Sequence, residues 1–227
     1  MALLTPTPPQ AVSEAFRDGL RTLFGELLTV LKNLNPGDVG AILNQTLNKH
    51  FLGGPPEIPS LADLGLLGEA LLDHNQQQVF TLGLSDLASE DSPRLIGWRL
   101  FAGNNQGKTV LGHIIQPAAG GWKLTGCFYR DRVWDVLQAS LALGSLPAVQ
   151  QGDYELRLLT IPGLNLEAFW LVAKQPDQSD LVVPFPAAPN QPISGLNTSG
   201  TFTMADFRSI VSPLAKQRTS SPPSHVS

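Results

Sequence analysis

The chain has 227 residues, of which 42% are hydrophobic, enough for one domain with a substantial core. Its net charge is −4, and it has no run of Lys and Arg, which argues against binding to nucleic acid or anionic membranes. The single cysteine, Cys127, cannot form an intramolecular disulfide or a thiolate metal cage. No membrane span and no secretory leader are evident, so we expect a cytoplasmic protein.

Helices are predicted over about residues 10–74, after a flexible lead at residues 1–9. The first helix has apolar residues at alternating spacings of four and three, which is typical of a packed helix seam. These residues are Phe16, Leu20, Leu23, Leu27, Val30 and Leu34. Asp38 can cap a second helix that ends near His50. Ser60 and Asp63 can cap a third helix, which would bury Leu71.

A mainly antiparallel sheet is predicted over about residues 79–185. The segments 94–102, 108–116 and 122–130 are separated by turn-rich stretches, which indicates a meander of hairpins. Pairing Ala102 with Lys108 and Gln116 with Trp122 places apolar residues on the face formed by even-numbered positions. In that register Trp98 lies in one row with Gly112 and Gly126 and covers both glycines. We expect this even face to be closed core.

The remaining pattern completes an α+β fold in one domain, residues 10–212. A helix is predicted at residues 132–143, and strands at 154–161, 164–173 and 181–185, with an interruption at Pro162-Gly163. Residues 186–202 are expected to form an extended segment. Thr203 and Asp206 can cap a short helix at 203–212, which Pro213 ends or bends. Residues 213–227 are expected to be disordered.

The odd-numbered face of the meander holds the polar residues most relevant to function. They are Arg99, His113, Thr125, Cys127 and Tyr129. In the assumed register His113 is opposite Thr125 and diagonal to Cys127, and a Cys–His pair is the minimal arrangement for an activated thiolate. Cysteine is also commonly a small buried hydrophobe, and apolar neighbours predict that this face is half-covered by the N-terminal helices.

Two uses of the odd face are therefore possible. Cys127 and His113 are candidate catalytic residues, whereas Arg99, His113, Thr125 and Tyr129 are candidate ligand-binding residues. No phosphate-binding loop, nucleophile elbow, dinucleotide fingerprint or metal-ligand spacing is present. The sequence therefore predicts no cofactor and no metal.

Three functions follow from these features. The first is a non-catalytic interaction or assembly protein, which binds a protein partner or itself through the first helix and the Pro-rich arms at 1–9 and 184–200. The helix seam can equally belong to the core of the chain's own fold. The alternatives are a small-molecule binding domain and a Cys-dependent enzyme, both on the odd face. The sequence favours a function without catalysis.

Overall fold

The computed structural model of the chain describes residues 3–32, 71–72, 76–89, 91–103, 109–116, 119, 121–129, 136, 139–185, 196 and 200–220. Its helices are α1 (Gln10–Lys32), α2 (Leu84–Ser89), α3 (Pro147–Gln150) and α4 (Met204–Ser220). Its strands are β1 (Leu3–Leu4), β2 (Leu71–Leu72), β3 (Gln77–Thr81), β4 (Arg94–Gly103), β5 (Thr109–Ile115), β6 (Lys123–Tyr129), β7 (Tyr154–Ile161), β8 (Leu166–Ala173), β9 (Leu181–Phe185) and β10 (Phe202–Thr203). The predicted α+β class is confirmed.

The described residues fall into two compact units. Unit 1 draws on Met1–Pro6, Gln77–Ile96 and Ala142–Ser227, and unit 2 draws on Thr7–Gln76 and Gly97–Leu141. The organisation into a single domain at residues 10–212 stays a prediction.

The sheet of unit 1 has the strand order β10-β9-β8-β7-β3. Strands β7, β8 and β9 lie at the predicted strand segments and pair as an antiparallel meander, and β3 runs parallel to β7. Residues Pro162–Leu164 form a 3₁₀ turn between β7 and β8, and Asn165 has φ 51°, a left-handed conformation that asparagine tolerates. The predicted flexible lead is wrong in part, because β1 pairs in parallel with the start of β7.

One face of this sheet packs against α4. Side chains alternate across a strand, so Leu159 and Trp170 share a face and meet Phe207 and Val211 of the helix in one buried cluster. Leu196 is buried in the same cluster, so the predicted extended segment at 186–202 has an apolar anchor.

Helix α4 corrects the prediction that the last helix stops near Pro213 and that the tail is disordered from there. The helix contains Pro213 and continues to Ser220. A proline inside a helix costs about 3 kcal/mol because it removes a backbone hydrogen bond and crowds the preceding turn. Burial on both sides of Pro213 offsets that cost, since Val211 and Ala215 are almost completely enclosed.

Unit 2 contains the predicted meander of β4, β5 and β6, in a different register. Trp98 is registered with Ile114, and Ile114 with Leu124, so the predicted row of Trp98, Gly112 and Gly126 is wrong. The β4–β5 pairing is displaced by two residues, which keeps the face of every side chain. The predicted closure of the Trp98 face agrees with the burial of Trp98 and Ile114.

Helix α1 packs on this same face of the meander. A Cβ built on Gly19 would lie 2.4 Å from the Leu124 Cβ, so the helix backbone approaches the strand directly. Val12 and Phe16 are fully buried. The expectation that the N-terminal helices cover the odd face is therefore wrong for the described part of α1, which covers the even face.

Several predictions concern residues that the structure describes only in part. The side chains of Leu20, Leu23, Leu27 and Val30, the whole of Leu34, and the predicted helix at 38–50 lie outside the described residues. In the third predicted helix the described residues Leu71 and Leu72 instead form β2, paired with Gly103 and Ala102. Residues Val136 and 139–142 are helical, in agreement with the helix predicted at 132–143.

Candidate functional site

The predicted Cys–His pair is separated by the register of β5 and β6. The pairing shifts by one residue between His113 and Ile114, so His113 is registered with Gly126, and Cys127 with Gly112. Residues that face each other across two strands share a face of the sheet, so Cys127 lies on the face opposite to His113. The geometry from which the catalytic pair was inferred is therefore wrong.

The predicted ligand-binding residues are brought together only in part. Arg99 is registered with His113 and is 2% exposed. Thr125 is the additional residue at the shift and is exposed, and Tyr129 is registered with Val110, on the other face. The side chains of His113, Cys127 and Tyr129 lie outside the described part of the structure, so the use of these residues for binding stays a prediction.

A groove in unit 1 runs along one side of α4, and we call it the α4 groove. Its volume is about 640 Å³. Its apolar lining consists of Leu87, Pro93, Trp170, Met204 and Ala205. Its polar lining consists of Ser92, Asp180, Arg208, Ser209, Ser212 and Lys216. Six of the lining residues belong to α4, at positions 204, 205, 208, 209, 212 and 216, and this spacing keeps them on one side of the helix.

Asp180 fixes the end of the groove at the start of α4. Its two carboxylate oxygens accept hydrogen bonds from the Trp170 indole Nε1 and the Ala173 backbone N–H, each at 2.9 Å. Its backbone carbonyl accepts a bond from the Met204 N–H at 3.1 Å. Asp180 thus joins the turn between β8 and β9 to Trp170 in the groove lining and to the first turn of α4.

Arg208 lines the groove and is half-buried. Its guanidinium donates to the backbone carbonyls of Asp86, at 3.5 Å, and Asp91. These bonds hold α2 and the following loop against α4 but leave the positive charge in place, because a carbonyl carries no net charge. Within the described residues no carboxylate forms an ion pair with Arg208. A half-buried guanidinium of this kind favours an anionic ligand.

Two serines that line the groove, Ser209 and Ser212, donate their hydroxyl hydrogens to backbone carbonyls. Ser212 donates its hydroxyl to the Leu87 carbonyl at 3.0 Å, and Ser209 donates to the Asp206 carbonyl at 2.7 Å. A hydroxyl that has donated its one hydrogen can still accept. The groove therefore combines hydrogen-bond acceptors at the serines and Asp180 with cations at Arg208 and Lys216.

On the same face of the sheet as Trp170, which lines the groove, a cation is stacked on two aromatic rings. The Arg157 guanidinium carbon lies 4.8 Å from the ring centre of Phe80 and 5.1 Å from that of Trp170. Glu155 accepts a 2.8 Å hydrogen bond from Arg157 Nε and another from Lys174. Burial raises the pKa of the Glu155 carboxyl, but the hydrogen bonds and charges of Lys174 and Arg157 hold it below its usual range.

This network makes the stability of the protein sensitive to acid. A carboxyl whose pKa is lowered in the folded protein stabilises the fold at pH values above its usual pKa. That contribution is lost as the pH falls through the lowered pKa. We expect Glu155→Gln to reduce the free energy of unfolding by about 1–2 kcal/mol at pH 7. Denaturant unfolding from pH 7 to about pH 3 should show the two proteins converging as the native carboxyl is protonated. An equal deficit at both ends of that range would contradict this assignment.

The α4 groove was not found from the sequence. The signal was the recurrence of polar residues at positions 208, 212 and 216, but the predicted helix stopped before Pro213 and did not include Lys216.

The described residues hold no cluster of His, Cys, Asp and Glu that could bind a metal. They also contain no helix that is both long enough and apolar enough to cross a membrane. The chain matches no known family, curated protein or solved structure.

Proposed function

We propose that the chain is a non-catalytic interaction protein that docks a segment of a partner protein in the α4 groove. The observation that carries this proposal is the extent of the groove along the helix. Met204 and Lys216 both line it, and a rise of 1.5 Å per residue separates them by about 18 Å. A length of about 18 Å matches five to six residues of extended chain, at roughly 3.3 Å each.

The groove replaces the first helix as the favoured docking surface. The seam of α1 was predicted to be the interface, but Phe16 is fully buried within the chain. The groove, by contrast, has an apolar floor, open acceptors and a half-buried cation in one continuous surface. Such a mixture suits a peptide, which offers backbone N–H groups as well as side chains.

A cytoplasmic location and a protein partner belong to this proposal. One cysteine in 227 residues fits a reducing compartment, although it does not require one. Self-association is a special case, in which the docked segment belongs to a second copy. A small-molecule ligand on the Arg99 and His113 face of the meander has no comparable support among the described side chains.

Blocking the groove should abolish docking. Ala205 is exposed, lines the groove and lies in a helix, so Ala205→Trp places a large ring in the groove without emptying the core. A peptide phage-display selection on the wild-type protein should yield ligands that bind Ala205→Trp at least about tenfold more weakly, since steric exclusion removes most of the contact area.

The matched control is Ala11→Trp. Ala11 is an exposed residue of α1 in unit 2 and does not line the groove, so the same substitution adds the same ring to a helix surface that is not part of the groove lining. Selected peptides should bind this variant as they bind the wild type. If no peptide is selected, or if Ala205→Trp and Ala11→Trp bind selected peptides equally, the proposal is wrong.

A further inference from the structure

Pro213 lies inside α4, and its side chain is exposed. A proline at an interior position removes one helical hydrogen bond and is the least favourable residue for a helix. The buried neighbours Val211 and Ala215 offset this cost, but they would hold the helix equally well with another residue at position 213. The ring of Pro213 is not part of the buried cluster, so packing of the ring does not explain the choice of proline.

The hydrogen bond that Pro213 removes is the one to the Ser209 carbonyl. In an α-helix each backbone N–H donates to the carbonyl four positions earlier, and proline has no N–H. The proline ring also crowds that carbonyl. Ser209 and Ser212, the residue before the proline, both line the α4 groove. Pro213 therefore leaves a backbone acceptor without its helical donor in the part of α4 that borders the groove.

A carbonyl in this position favours a ligand that offers an N–H group. The hydroxyls of Ser209 and Ser212 donate their hydrogens to the carbonyls of Asp206 and Leu87, so in this arrangement they too accept rather than donate. A peptide carries one backbone N–H at every residue except proline. The donor must be an N–H that the peptide does not use in a hydrogen bond of its own.

We propose that Pro213 determines peptide binding by keeping the Ser209 carbonyl free of a helical donor, and that a backbone N–H of the docked segment donates to that carbonyl. This inference rests on the proposed docking function and names a contact that the partner makes. Stability and binding then respond in opposite directions at one position, because an N–H at residue 213 favours the helix and occupies the carbonyl.

Pro213→Ala supplies the missing N–H and tests this relation directly. We expect the Tm of the full chain to rise by about 5 °C, because alanine is far more favourable than proline inside a helix. The affinity for nine-residue peptides selected on the wild type should fall about three- to tenfold, the usual range for one hydrogen bond. A higher Tm with unchanged affinity would contradict the inference.

Pro213→Gly separates the effect of the N–H from the effect of helix stability. Glycine also has an N–H but is less favourable than alanine in a helix, so the Tm of Pro213→Gly should lie below that of Pro213→Ala. The two variants should nevertheless bind the peptides equally weakly. Affinities that follow Tm, so that the two variants differ, would count against a role for the N–H.

The matched control is Pro147→Ala. Pro147 is exposed, begins α3 and does not line the groove. An N–H at the first position of a helix has no helical acceptor, so this substitution supplies an N–H without occupying a carbonyl. Pro147→Ala should bind every peptide as the wild type does, and a loss equal to that of Pro213→Ala would contradict the assignment to Ser209.

Amide-to-ester replacement along the peptide identifies the donor, because an ester lacks the N–H. One replacement should weaken binding to the wild type about three- to tenfold and have little further effect on Pro213→Ala, whose Ser209 carbonyl already has a donor. Peptides that are sensitive to Ala205→Trp but bind Pro213→Ala as the wild type would overturn this inference and leave the docking function standing. Peptides indifferent to Ala205→Trp would overturn both.

Discussion

Replacing Phe16 by alanine should lower the free energy of unfolding by about 3–5 kcal/mol, the usual cost of removing a fully buried aromatic side chain. Phe16 is 0% exposed, and Gly19, one turn further along α1, touches Leu124 of β6. The loss is large against the 5–15 kcal/mol by which domains are ordinarily stable. Chemical denaturation monitored by circular dichroism measures it directly.

This substitution also distinguishes a core seam from an interface. If Phe16 belongs to the core, the loss should be independent of protein concentration, whereas an interface residue would weaken assembly in a concentration-dependent manner. Leu4→Ala is the control, since Leu4 is 49% exposed and should cost well under 1 kcal/mol. A loss for Phe16→Ala as small as that for Leu4→Ala would show that α1 does not pack on the meander as described.

Phe207→Ala should be the most damaging substitution in unit 1, again by about 3–5 kcal/mol. Phe207 is 0% exposed and lies on the side of α4 that faces the buried cluster. Its removal leaves a cavity under the helix that forms one wall of the α4 groove. We expect binding of selected peptides to weaken together with stability, because the helix is held less firmly.

Phe207→Leu provides the comparison, since it keeps most of the apolar volume and should cost clearly less than the alanine variant. The free energy of unfolding and the peptide affinity should rank the three proteins in the same order. An unchanged affinity in a strongly destabilised Phe207→Ala protein would show that α4 does not form the wall of the binding surface.

The parts of the fold that follow from short-range pattern were predicted well. The alternation of apolar residues located β7, β8 and β9, and the pair Thr203 and Asp206 marked the start of α4. In the structure Asp206 N–H donates to Thr203 Oγ1 at 3.1 Å, the bond expected of an N-terminal cap. Each of these features depends on residues within a few positions of one another.

Errors arose where distant contacts override local preference. A proline ordinarily stops a helix, but burial of Val211 and Ala215 carries α4 past Pro213. The register shift at His113 has no local mark in the sequence, and a displacement of one residue moves Cys127 to the other face. The groove depends on α4, α2 and the β8–β9 turn meeting in space, so no single segment indicated it.

The most direct test of the docking function is the methyl signal of Met204 in the presence of a selected peptide. The chain has two methionines, Met1 and Met204, and Met204 lines the α4 groove. Selective ¹³C-methyl labelling therefore gives a simple spectrum in which Met204→Leu assigns the signal from the groove. We predict that a bound peptide shifts the Met204 signal. A peptide that binds with the Met204 signal unmoved would contradict the assignment of the groove as the docking site.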